Sequence, residues 1–115
     1  MPDTAVIYHN PRCSTSRKTL ELLRDNGLEP NVVEYLKDPP SRDELITMIA
    51  DAGISARDAV RKRESLYGEL NLAQASDDEL LDAMIANPIL IERPFVITPK
   101  GTRLARPIDA VREIL

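Results

Sequence analysis

The chain has 115 residues, 43% of them apolar and 30% charged, with a formal net charge of −4, one cysteine and one histidine. That length suits one domain around one core, and the acidic balance speaks against nonspecific binding to nucleic acid or to an anionic membrane. No apolar run approaches the roughly 18 residues of a membrane span, and one histidine with one cysteine leaves too few soft ligands for a metal cluster.

Residues 1–4, Met1-Pro2-Asp3-Thr4, have neither the positive region nor the apolar core of a signal peptide. A single cysteine closes no internal disulfide, which fits a reducing cytoplasm. Residues 5–8 read as a short buried strand. Residues 14–26 follow as an amphipathic helix with Leu20 and Leu23, and further Thr19 and Leu22, on its inner stripe. Gly27 stops it at a position that favours a left-handed backbone.

Residues 31–35 read as a second strand, and Lys37-Asp38-Pro39-Pro40 as a stiff loop. Ser41 with Glu44 has the spacing of a capping box, opening a helix to about residue 52 with Leu45, Ile46, Met48 and Ile49 inward. Ser55 caps a short helix over about 56–62, and 64–70 is another helical stretch. Ser76 with Glu79 repeats the box and opens a helix to about residue 86, with Leu80, Leu81, Met84 and Ile85 on its apolar face; Asn87-Pro88 ends it. Residues 95–98 and 102–105 form a hairpin around Pro99-Lys100-Gly101. Pro107 opens a terminal helix that buries Ile108, Val111, Ile114 and Leu115.

A βαβ unit followed by a ββα unit is the outline of a thioredoxin-like fold. The expected class is therefore α/β, a four-stranded mixed sheet in a single domain over 1–115, with a helical insertion over about 54–90. In that outline Pro94 stands where such folds carry a cis proline beside the active cysteine, which places Arg93 near Cys13.

Cys13 lies at the carboxyl end of the first strand, where open α/β sheets place ligands, and at the start of the first helix. Helix N–H groups and the positive end of the helix dipole favour thiolate over thiol, Arg12 and Arg17 add positive charge nearby, and the same N–H groups can cradle an oxyanion. A lone cysteine is more often a small buried apolar residue; the polar neighbours argue against that here, and the residues alone leave the choice open. His9, four residues earlier, is either a structural residue or a hydrogen-bonding support for the thiol. Arg93 and Arg106 each precede a proline at a strand boundary, where a guanidinium offers a fork for bidentate oxyanion binding. In the insertion, composition does not choose among Arg57, Arg61, Lys62 and Arg63.

Several segments together resemble the glutaredoxin-linked arsenate reductases, the ArsC family. They are His9-Asn10-Pro11-Arg12-Cys13-Ser14-Thr15-Ser16-Arg17, Glu92-Arg93-Pro94, Thr102-Arg103-Leu104-Ala105-Arg106-Pro107, Tyr67-Gly68-Glu69-Leu70-Asn71-Leu72 and Asn87-Pro88-Ile89-Leu90-Ile91. The resemblance implies Cys13 as the nucleophile toward arsenate, and Arg61, Arg93 and Arg106 as oxyanion ligands. It implies His9 and Ser16 as supporting residues. It further implies glutathione as cosubstrate, glutaredoxin as partner, no bound cofactor or metal, and a cytoplasmic monomer. The absence of a resolving cysteine fits a second thiol supplied from outside. Two other readings share the outline: a glutathione-linked thiol oxidoreductase with another substrate, and a Spx-type regulator that binds RNA polymerase. Ser16 in place of a second cysteine removes the internal disulfide switch such regulators use.

Overall fold

The computed structural model describes residues 5–115; residues 1–4, read above as lacking a signal peptide, lie outside them. The chain divides into two compact units. One runs through Asp38 and resumes over Arg93–Leu115; the other is Pro39–Glu92.

The first unit holds a four-stranded sheet of β1 (Val6–His9), β2 (Asn31–Glu34), β3 (Phe95–Thr98) and β4 (Gly101–Leu104) in the order β2-β1-β3-β4. β1 pairs parallel with β2, Val6 opposite Asn31 and His9 opposite Glu34. β1 pairs antiparallel with β3, and β3 with β4. The helix α1 (Ser14–Asp25) connects β1 to β2. The expected mixed sheet is present, with the βαβ half as expected and a hairpin followed by a terminal helical segment, and the fold is thioredoxin-like.

β1 alternates in burial because its faces differ, and Ile7 is fully buried. Ile7 packs with Leu23 from α1, Val96 from β3, Ala105, and Val111 and Ile114 from the terminal segment. On α1 the buried residues are Ser16, Thr19 and Leu23, while Leu20 and Leu22 flank the cluster partly buried. Gly27 takes φ +82, and Gly27 N and Leu28 N return to the Arg24 and Leu23 carbonyls (both 3.0 Å), closing the helix end. β2 is an edge strand and mostly exposed.

The terminal segment, Ile108–Ile114, is a 3-10 helix rather than an α-helix. Its apolar residues Ile108, Val111 and Ile114 recur every third position, which matches three residues per turn. Val111 and Ile114 are buried, and Ile108 is partly exposed.

The second unit is helical: α2 (Arg42–Asp51), α3 (Ala56–Ala59), α4 (Ser65–Glu69) and α5 (Asp77–Ala86), with short 3-10 turns at Leu72–Gln74 and Pro88–Leu90. The capping boxes at Ser41/Glu44 and Ser76/Glu79 both form, and Ser55/Asp58 makes a third. On α2 the buried residues are Leu45, Met48 and Ile49, spaced three and four apart. Ile46 does not join them and is 37% exposed, because it lies about 100° around the helix from Leu45. α3 stops at Ala59 rather than near 62, because Val60 takes an extended conformation and bridges Ile91. Arg61 N then donates to Leu90 O (2.6 Å) and Glu92 N to Ala59 O (2.7 Å). Among the described residues, no helix is long and apolar enough to cross a membrane.

Candidate active site

The loop after β1 is folded by its own hydrogen bonds. Cys13 N donates to Asn10 O (3.0 Å), and Arg12 N donates to Asn10 Oδ1 (3.0 Å), a side-chain turn that asparagine makes readily. Cys13 stands at the N-cap of α1 in an extended conformation, and its carbonyl takes the Arg17 N–H (3.0 Å). Cys13 is partly exposed, and its sulfur forms no regular side-chain cap.

His9 and Ser16 support this loop from below. Ser16 is fully buried and His9 is 6% exposed. Ser16 Oγ accepts the Asn10 N–H (3.0 Å) and shares a hydrogen bond with His9 Nδ1 (2.7 Å). Burial holds His9 below the ordinary imidazole pKa, and the Arg17 and Arg24 charges act the same way against the opposing pull of Glu34. His9 is therefore a neutral structural partner at neutral pH.

Arg93 and Arg106 come to the thiol from the other half of the same unit. The Arg93–Pro94 bond is cis, as expected, and so is Arg106–Pro107. Arg106 Nη2 donates to Cys13 Sγ at 3.7 Å, and Arg106 Nε donates to Arg93 O at 3.0 Å. Arg93 is 6% exposed, and its guanidinium acts on the Cys13 sulfur to favour the thiolate.

Burial alone would push the Cys13 thiol pKa up. The Ser16 backbone N–H, the Arg93 guanidinium and the charge of Arg106 outweigh it, and the net effect is a lowered pKa. Arg12 and Arg17, expected to help, are placed otherwise: Arg12 is exposed, and Arg17 Nη1 donates to Pro11 O (2.9 Å).

Arg61 belongs to the second unit. There it donates from Nε to Glu64 Oε2 and from Nη1 to Glu92 Oε1, both at 3.1 Å. Burial disfavours its charge, but the two carboxylates prevail and raise its pKa. Of the insertion's other cations, Arg57 holds the chain together by donating to Tyr67 Oη, Leu72 O and Ala75 O. Lys62 Nζ donates to Arg57 O, and Arg63 is exposed.

Two residues of the site escaped the sequence reading. Asn10 shapes the loop through its backbone and side chain, and Tyr35 lies buried against Arg93 and Asn10. The available signal was positional: Tyr35 directly follows β2, at the same end of the parallel β1–β2 pair as the cysteine loop.

A nucleophilic thiolate under two fixed guanidinium groups, beside the N–H groups of a helix start, can hold a tetrahedral oxyanion and attack its central atom. Among the described residues, no three His, Cys, Asp or Glu side chains are grouped to hold a metal ion.

The ArsC family model matches residues 8–114. The chain is 57% identical over 114 residues to an arsenate reductase of Rhizobium meliloti (strain 1021), covering 97% of this chain and 81% of that protein. It is 56% identical over 111 residues to an arsenate reductase of Escherichia coli (strain K12), covering 95% and 79%. A solved structure of an arsenate reductase from Vibrio cholerae superposes with a TM-score of 0.94 at 46% identity and covers both chains fully. Cysteine loop, paired arginines and sheet topology agree with these matches in assigning the chain to the ArsC family.

Proposed function

We propose that the protein reduces arsenate to arsenite, using Cys13 as the only protein thiol and glutathione with glutaredoxin as the electron source. The observation that carries the reading is the contact of Arg106 Nη2 with Cys13 Sγ (3.7 Å), with the Arg93 charge also favouring the thiolate. The two cations keep the sulfur ionised, and they neutralise an incoming oxyanion that would otherwise repel it. Relatives that share 56–57% of their aligned residues with this chain bear the name arsenate reductase.

In the proposed cycle the Cys13 thiolate attacks arsenic(V) and displaces one oxygen as water, forming a sulfur–arsenic bond. Glutathione adds to arsenic in the same way. A glutaredoxin thiolate then attacks the glutathione sulfur and leaves with it as a mixed disulfide. The electron pair of the broken sulfur–arsenic bond stays on arsenic, which becomes arsenic(III). Water releases arsenite and restores the Cys13 thiol. Two electrons reach arsenic, and one disulfide is formed.

Arg93, Arg106 and Arg61 are assigned to the oxyanion, the last by its match to the family pattern, and His9 and Ser16 to support of the loop. No resident cofactor takes part. The protein is read as a cytoplasmic monomer.

Arsenite release measured with different thiol donors tests the reading. Turnover with glutathione plus glutaredoxin, and little with thioredoxin and its reductase alone, is expected. Equal turnover with thioredoxin alone would remove glutathione from the cycle.

A further inference from the structure

Tyr35 is a buried side chain with a polar group at this end of the sheet that the proposed cycle leaves unused. It follows Glu34, which pairs with His9 in the parallel ladder, so it comes level with Asn10, the first residue of the cysteine loop. Its surroundings in sequence are open, with Val32 41% and Leu36 42% exposed, yet Tyr35 is 1% exposed. The side chains of Arg93 and Asn10 both act on the phenol, and Tyr35 and Arg93 each have a polar partner there. A guanidinium only donates, so toward Arg93 the phenol oxygen can only accept. Asn10 is itself fixed, since its Oδ1 accepts from Arg12 N and its carbonyl from Cys13 N.

The nature of this anchor matters. Arg61 is held by two carboxylates, which offset its charge. Arg93 has a phenol beside it. Burial pushes the Tyr35 pKa up, against the opposing pull of Arg93 and Asn10, so the ring stays protonated throughout the range in which a thiolate works. A neutral acceptor orients a guanidinium without cancelling its field.

We infer that Tyr35 is a positioning residue: its phenol, level with Asn10 across the parallel ladder, holds the Arg93 guanidinium toward Cys13 as a neutral anchor, leaving the full positive charge to act on the thiolate and the bound oxyanion. The oxyanion half of this inference rests on the function proposed above; the thiolate half does not.

The Tyr35→Phe chain keeps the ring and removes the acceptor. Its Cys13 alkylation by iodoacetamide, followed against pH, is expected to shift to higher pH. Its KM for arsenate is expected to rise several-fold with a smaller change in kcat. In an Arg93→Ala background, the same substitution is expected to change neither. An unchanged alkylation profile, or an equal shift with and without Arg93, overturns the inference. A further readout needs neither a variant nor arsenate: in the wild-type chain, the Tyr35 ring signals in NMR are expected to move as Cys13 titrates. Stationary signals overturn it. Absence of any arsenate turnover counts against the proposed function alone, and the alkylation profile still decides the role of Tyr35.

Discussion

Arg106 donates from Nε to the backbone carbonyl of Arg93 at 3.0 Å. The bond spans the hairpin that joins the two residues, and it leaves Arg106 Nη2 on the Cys13 sulfur. Arg93 and Arg106 are thus set relative to each other by backbone before any ligand arrives. Prearranged donors of this kind need little reorganisation when an anion binds.

The first prediction concerns the thiol. Burial opposes its ionisation, and Arg93 and Arg106 are among the groups that overcome it. Alkylation of the wild-type chain should therefore continue below the ordinary thiol range and fall away only as pH drops through the lowered pKa. Arg93→Ala and Arg106→Ala should each move the profile to higher pH and slow alkylation several-fold at pH 7. Profiles that coincide with the wild type in both variants would remove these arginines from the site.

Arg61 should behave differently. The charges that lower the Cys13 pKa are those of Arg106 and Arg93, while Arg61 is engaged by Glu64 and Glu92. Arg61→Ala should leave the alkylation profile in place and raise the KM for arsenate by roughly tenfold, the worth of one charge-assisted hydrogen bond. It should also lower the melting temperature, because two partly buried carboxylates lose their partner. An unchanged KM for arsenate in a folded Arg61→Ala chain would contradict the assignment of Arg61 to the oxyanion.

Loss of the His9–Ser16 pair should be felt as stability. Ser16→Ala removes a fully buried hydroxyl that serves both Asn10 N and His9 Nδ1. A cost of about 1–3 kcal/mol follows from leaving such groups unpaired, and each kilocalorie lowers the melting temperature by roughly 4–8 °C in a domain near this size. The His9 pKa is lowered from 6.5, first by burial. The unfolded chain therefore binds the proton more readily, so this contribution is complete above the unfolded pKa and is lost as pH falls below it toward the folded one. Thermal melts from pH 8 to 5 should show the decline in the wild type, and His9→Gln should flatten it. Identical slopes would exclude His9 as its source.

Much of this architecture was legible because its signals are local. Ser41 with Glu44 and Ser76 with Glu79 announce helix starts within four residues, Gly27 announces a helix end, and the 95–105 region announces a hairpin. Cys13 stood out as a candidate from its place between a strand and a helix, and Arg93 and Arg106 from the prolines that follow them, while the choice among the readings came from the family resemblance. What was hidden depends on partners distant in sequence. The short α3 ends because Val60 bridges Ile91, and Ile46 is exposed because Leu45, Met48 and Ile49 already fill the inner face. Arg57, Arg61 and Lys62 look alike in composition, and only their acceptors separate a backbone clamp from an ion-paired guanidinium. The threefold spacing of Ile108, Val111 and Ile114 was visible, but it fits one face of an α-helix nearly as well as a 3-10 helix.

The most direct measurement is arsenate-dependent NADPH oxidation, coupled through glutathione reductase, glutathione and glutaredoxin, for the wild-type chain and Cys13→Ser side by side. The account predicts turnover in the wild type and a loss of roughly a thousandfold or more in the variant, with fold and oxyanion binding largely kept. Turnover in Cys13→Ser above background, or a folded wild type with a reactive thiol and no arsenate-dependent oxidation, would contradict it.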